Sequence, residues 1–158
     1  MTRIAKSAEM RTSFAFRERL ESLIEKKEVK KSELPDLIGI SKDVINRALL
    51  YAIVPSLQSL IKFADYFNVS IPYLLGESDD DYFEKSANPV SFRERLETLV
   101  QEKNTKYSVM AHKMTFPENY FYDWIRTNTR PSFDYLKEIA KYFKVSVDYL
   151  LGRTDERS

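Results

Sequence analysis

Three observations predict an all-α chain built from two tandem five-helix units. Apolar residues recur at helical spacing, one long segment repeats at a constant offset of 76 residues, and the three glycines stand where short helices would stop. The offset places "FRERLESLIEKK" (16–27) on "FRERLETLVQEK" (92–103), and "FADYFNVSIPYLLGESD" (63–79) on "IAKYFKVSVDYLLGRTD" (139–155), with no gap between. A repeat of that length predicts duplicated domains rather than a solenoid. The expected organisation is an N-terminal extension (1–15), a first domain (16–79), a linker (80–91), a second domain (92–155) and a tail (156–158). The adjacent Asp80 and Asp81 supply too few ligands for a cation and read as a solvated tether.

The elements follow in order. Phe16, Leu20, Leu23 and Ile24 form an i, i+4, i+7, i+8 stripe that predicts the first helix, and Phe92, Leu96, Leu99 and Val100 repeat it. Two short helices are expected next, over 32–38 and 42–50. Pro35 falls in the first turn of the former, Gly39 stops it, and Ser41 caps the latter. Leu57, Leu60, Ile61, Ala64 and Phe67 mark a fourth helix, matched by Phe133, Leu136, Ala140 and Phe143, with Ser56 and Ser132 as expected caps. A last short helix ends at Gly76 in the first unit and at Gly152 in the second.

Composition narrows the function classes. Lys and Arg total 25 against 24 for Asp and Glu, so no global field draws the chain to nucleic acid or an acidic membrane, and any such binding rests on local patches. There is no cysteine, one histidine and no stretch of about 18 apolar residues, which predicts a cytoplasmic protein without thiolate metal sites or membrane spans. His112 has no second His or Cys to work with, and no glycine-rich loop cradles phosphate, so neither catalysis, a cofactor nor a small-molecule ligand is expected.

Two short helices across a tight Gly-containing turn describe a helix-turn-helix. The repeated "YLLG" tails, the "FRERL" starts and the Pro-Ser pairs before the fourth helix together resemble the lambda-repressor-like (Cro/repressor, XRE-type) DNA-binding domains, twice over. The resemblance implies a transcriptional regulator, expected to be a repressor, whose partner is double-stranded DNA. It implies that the helix after the turn enters the major groove, so Lys42, Asp43, Val44, Asn46 and Arg47 would meet base edges, and Lys30 and Lys31 would meet phosphates. In the second unit the corresponding residues are Asn119 and Tyr122, with Arg126 and Arg130 toward the backbone, while Glu118 and Asp123 oppose phosphate. Phe121 and Trp124 are expected in the core. Between 26 and 47 six basic side chains face four acidic ones, whereas 102–123 holds three of each, so the first unit is the better DNA reader.

One stretch departs from the family pattern. Where a polar turn is usual, the first unit has "LLYAIVP", and the second keeps "IRTNTRP". Leu50, Tyr51, Ile53 and Val54 therefore form a candidate interface, either within a homodimer or in an intrachain pseudo-dimer, against the alternative of a loop buried locally. Half-sites about 34 Å apart are within reach of a linker that extends to at most about 40 Å. The competing function is a protein-interaction or dimerisation module on the same scaffold, with little DNA binding.

Overall fold

The computed structural model describes residues 11–158, and residues 1–10 of the expected extension lie outside the described residues. The chain is mostly helical and divides into two compact units, meeting between Tyr82 and Phe83.

Unit 1 contains β1 (Arg11–Thr12), α1 (Phe14–Lys27), α2 (Lys42–Tyr51), β2 (Ile53–Val54), α3 (Leu57–Phe67) and α4 (Ile71–Leu74). Each helix starts at a serine whose Oγ accepts a first-turn N–H: Ser13 from Phe16, Ser41 from Val44, Ser56 from Ser59 and Ser70 from Tyr73. The helix expected over 32–38 is instead a 3-10 turn (Lys31–Glu33) followed by a π turn (Pro35–Gly39). Pro35 lacks the N–H that a continuous α-helix would bond to the Lys31 carbonyl, so the backbone changes helix type at the proline. Gly39 then takes φ +80°, and Lys62 of α3 donates to its carbonyl at 3.0 Å.

The chain is not purely helical. Arg11 pairs with Val54 and Thr12 with Ile53 in a two-stranded antiparallel ribbon. The ribbon draws the first described residues of the extension, Arg11 and Thr12, into unit 1.

Unit 2 contains α5 (Phe92–Lys103), α6 (Tyr107–Ala111), α7 (Asn119–Thr127), α8 (Phe133–Phe143) and α9 (Val147–Leu150). Ser132 stands at the N-cap of α8 but makes no side-chain cap bond, unlike Ser91 and Ser146, which accept from Glu94 and Tyr149. The expected linker is only partly a tether. Ser86 N–H donates to the Arg153 carbonyl at 2.8 Å, its hydroxyl donates to Asp155 at 2.9 Å, and Thr154 donates to the Glu84 carbonyl at 2.7 Å. Arg157, expected in a free tail, makes a two-point ion pair with Glu102 at 2.8 and 3.0 Å.

Both cores are built from the predicted stripes, with one shift. Phe16, Leu20, Leu60 and Ala64 are buried in unit 1, as are Phe92, Leu96, Leu136 and Ala140 in unit 2. Phe63 and Ile139, at i+3 from Leu60 and Leu136, are fully buried, whereas Leu57, Ile61, Phe67, Phe133 and Phe143 are only half-buried.

An arginine of each "FRERL" grips the matching "YLLG" tail. Arg19 donates to the carbonyls of Tyr73 (2.6 Å) and Ser78 (3.1 Å) and to Asp79 (3.2 Å), with its guanidinium 3.8 Å from the centre of the Tyr73 ring. Arg95 donates to the Thr154 carbonyl (3.1 Å) and Asp155 (2.9 Å), and lies 4.0 Å from the Tyr149 ring. The clamp thereby adds a donor to the Tyr73 carbonyl, which also accepts the Gly76 N–H at 3.0 Å, and ties the segment beyond each last helix to the first helix.

The glycines that follow admit close backbone approach. At Gly152, φ +75°, a Cβ would fall 1.9 Å from the Val90 carbonyl oxygen, whereas at Gly39, φ +80°, it would meet nothing within 4 Å. Gly39→Ala is therefore expected to cost about 1 kcal/mol, the left-handed penalty alone. Gly152→Ala adds an overpacking penalty to the same strain, bringing the cost to about 3 kcal/mol or more, and urea unfolding of both variants measures the difference.

The hydrogen bonds from Arg95 and Ser86 hold the Asp155 carboxyl below the ordinary carboxylate range. A lowered native value means that this contribution to stability is complete above the unfolded value and disappears as pH falls through the native one. Below about pH 4 the unfolding midpoint of the wild type should consequently approach that of Asp155→Asn, with the gap between them widest near neutrality.

Candidate nucleic-acid interface

Helix α2 is the element that the sequence marks for reading DNA, and its two faces are sharply divided. Ile45, Ala48 and Leu49 are buried, fixing the helix to its unit, while Lys42, Asp43, Asn46, Arg47, Leu50 and Tyr51 are exposed. Asp43, Asn46, Arg47 and Leu50 share one stripe at i, i+3, i+4 and i+7, and Lys42 lies one turn before Asn46. The Ser41 cap, at 3.3 Å from the Val44 N–H, defines where that stripe begins.

Among the described residues, no ion pair engages Lys30, Lys31, Lys42 or Arg47. Lys30 and Lys31 are both exposed where the 3-10 turn starts, and the Lys30 N–H donates to Glu33 at 3.1 Å. Val44 is half-buried, so less of its side chain is available to a thymine methyl than its place in the sequence implied. The face thus exposes two cations, Lys42 and Arg47, and the amide of Asn46.

The apolar run after α2 is resolved by strand pairing. Ala52 is buried in the left-handed conformation at φ 58°, and its carbonyl accepts the Ser13 N–H at 2.8 Å. Ile53 and Val54 are half-buried in the ribbon with Arg11 and Thr12. Of the four residues expected at an interface, only Leu50 and Tyr51 stand clear, 64 % and 66 % exposed. Sequence reasoning missed the cover because two residues are too short a strand to register as period-2 alternation. It also missed Phe14, 67 % exposed, which follows Ser13 at the same junction with Arg17 5.0 Å from its ring centre.

The corresponding surface of unit 2 is organised differently. Asn119, Tyr122, Asp123 and Arg126 are exposed on α7, with Arg130 exposed in the turn beyond. Arg126 is tied to Asp123 at 3.0 Å, and the Tyr122 hydroxyl donates to Glu118 at 2.8 Å. That bond lifts the Tyr122 phenol above its usual range. Tyr107, beneath it, is pushed up to about 12, first by burial and then by the charge of Glu97. Phe121 is fully buried as expected, but Trp124 is only half-buried, edge-on to Phe92 at 6.2 Å and to Phe116 at 5.2 Å. At the end of α7, Thr127 donates to the Asp123 carbonyl at 2.6 Å and its hydroxyl lies 2.8 Å from that of Thr129, so threonines occupy the place that apolar residues hold in unit 1.

His112 is exposed at the end of α6. Among the described residues, no group of His, Cys, Asp or Glu is placed to hold a metal ion, and no helix is long and apolar enough to cross a membrane. No family model, curated protein or solved structure matches the chain.

The division of α2 predicts opposite stability responses on its two faces. Lys42→Ala and Arg47→Ala should each shift unfolding by less than about 0.5 kcal/mol, as surface changes do. Ile45→Ala, at 2 % exposure, should cost about 2–5 kcal/mol, and denaturant titration separates the classes.

Proposed function

We propose that this protein is a sequence-specific DNA-binding regulator of transcription, with two tandem helix-turn-helix units of which unit 1 is the reader. The observation that carries the reading is the α2 face: Lys42, Asn46 and Arg47 project from a helix whose opposite side is anchored in the core, with no intramolecular partner for either cation among the described residues. Free cations are what phosphate and guanine recognition require, because a cation already paired must break that pair before it binds. Lys30 and Lys31 add sequence-independent attraction to the backbone. Acting as a repressor needs no more of this chain than occupancy of its site.

Leu50, Tyr51 and Phe14 support pairing of two copies on a two-fold operator. Their counterparts in unit 2 at the 76-residue offset are Arg126, Thr127 and Val90, so the shared scaffold does not itself require large apolar residues there. Two copies side by side would remove these side chains from water while placing two reading helices on one duplex.

The test is enrichment of binding sites from a random-sequence duplex library, followed by fluorescence anisotropy on the enriched duplex. Affinity should fall by about tenfold or more between about 50 and 200 mM salt, and Lys42→Ala/Arg47→Ala should abolish selectivity and flatten the salt dependence. Failure to enrich any duplex at low salt would overturn the reading. Phe14→Ser/Tyr51→Ser, neutral changes off the reading stripe, should leave a half-site affinity intact while removing cooperativity on a paired site.

A further inference from the structure

Helix α7 presents a face of opposite electrical sign to its counterpart α2. At the 76-residue offset, Lys42 corresponds to Glu118 and Arg47 to Asp123, reversing both cations of the reading stripe. Val44 and Asn46 correspond to Tyr120 and Tyr122, which are 36 % and 49 % exposed. On the preceding helix α6, exposed Glu33 of unit 1 corresponds to Val109, an apolar residue left 50 % exposed. One scaffold therefore exposes two cations on this helix in one copy, and two carboxylates with a tyrosine on either flank in the other.

The exposed tyrosines of this helix are backed by other rings of unit 2. Tyr107 stacks on buried Phe121 at 5.0 Å and meets the Tyr122 ring edge-on at 5.6 Å, while Tyr120 stacks on Phe116 at 5.9 Å. The Tyr122 hydroxyl is also fixed to Glu118, so little rotamer freedom remains to be lost on docking. Elsewhere the protein covers tyrosine rings with its own cations, as Arg19 does on Tyr73, Lys27 on Tyr66 and Lys103 on Tyr142. Among the described residues, no such cation covers Tyr107, Tyr120 or Tyr122.

We propose that this face of unit 2 docks a basic helical segment of a protein partner, with Lys or Arg head groups at Glu118 and Asp123 and their aliphatic stems along Tyr120, Tyr122 and Val109. The charge reversal argues for the cationic occupant and against duplex DNA, whose phosphates the two carboxylates repel. Exposed rings beside carboxylates attract cations by their quadrupole as well as by charge, and lysine stems match an aromatic surface. Among the described residues, Arg126 is the cation that spans to Asp123, so a partner must share that carboxylate with it, whereas the Glu118 carboxylate accepts from Tyr122 and keeps further acceptor capacity. The assignment is independent of whether unit 1 reads DNA.

Trp124, the single tryptophan of the chain, packs edge-on against Tyr120 at 6.1 Å and reports on this face directly. The probe is a synthetic amphipathic helix of about 20 residues, or ~30 Å, with Lys and Arg on one face and Leu beside them, compared with the same peptide bearing Glu in place of the cations. Titrated into the full chain at about 50 mM salt, the basic peptide should change Trp124 emission and saturate, and the acidic one should not. Glu118→Lys/Asp123→Lys should weaken the basic peptide by about tenfold or more, Tyr122→Ala should weaken it without changing the salt dependence, and Lys42→Ala/Arg47→Ala should leave it unchanged. Absence of binding by the basic peptide, or equal binding by both peptides, overturns the proposal. So does self-association of the wild type, seen by sedimentation and lost in Glu118→Lys/Asp123→Lys, because it assigns the face to a second copy.

Discussion

Each unit depends on one arginine that holds its first helix to its last. Helices α4 and α9 are four residues long, too short to persist alone. They are kept in place by the burial of Ile71 and Leu74, or Val147 and Leu150, and by the clamp from Arg19 or Arg95. A planar guanidinium suits the task because it donates to carbonyl and carboxylate oxygens while lying over the tyrosine ring. The side chains of Arg19 and Arg95 are 17 % and 12 % exposed while Asp79 and Asp155 are open to water, so the shielded part of each clamp is the guanidinium on its carbonyl and ring rather than the ion pair. In unit 2 the arrangement extends outward: Arg153 pairs with Asp148 inside the unit, and Arg157 reaches back to Glu102 and the Tyr149 ring.

A scaffold secured in this way leaves its exposed helix faces free to diverge. In α2 and α7 the inward positions remain apolar, buried Ile45 matching buried Phe121 and buried Leu49 matching half-buried Ile125, while exposed positions change sign, size and hydrogen-bonding character. The two units also close the following turn by different chemistry. Unit 2 uses threonine hydroxyls and Asn128 in the left-handed conformation, the residue type that tolerates it best after glycine. Unit 1 places Ala52 there instead and offsets the strain with the Ser13 bond and the ribbon to Arg11 and Thr12.

Those contacts change what the apolar stretch of unit 1 means. A run of seven residues without a polar side chain reads as surplus for one short turn, yet strand pairing absorbs Ile53 and Val54, and Leu49 and Ala52 enter the core. The exposed part that remains is smaller than the sequence implies, and Phe14, which follows the Ser13 bonded to Ala52, is exposed as are Leu50 and Tyr51. Leu50 and Tyr51 share α2 with the stripe proposed to read DNA, so pairing of copies and choice of site would be set by adjacent turns of α2.

Helical periodicity, the caps at Ser41 and Ser56 though not at Ser132, the glycine stops and the repeat were legible in the sequence, because each is a local signal carried by residue type and spacing. Asn46, Arg47 and Lys42 were legible as candidates for the same reason, since a helix of known start has a calculable outer face. The burial of Phe63 in place of Phe67 was decided by tertiary packing, as were the change of helix type at Pro35 and the cover over Ile53 and Val54. So was the difference between Arg47, which has no ion-pair partner among the described residues, and Arg126, which is held by Asp123. Those outcomes depend on which distant backbone and side-chain groups meet in space, and a two-residue strand or a single guanidinium leaves no periodic trace along the chain from which such a meeting can be read.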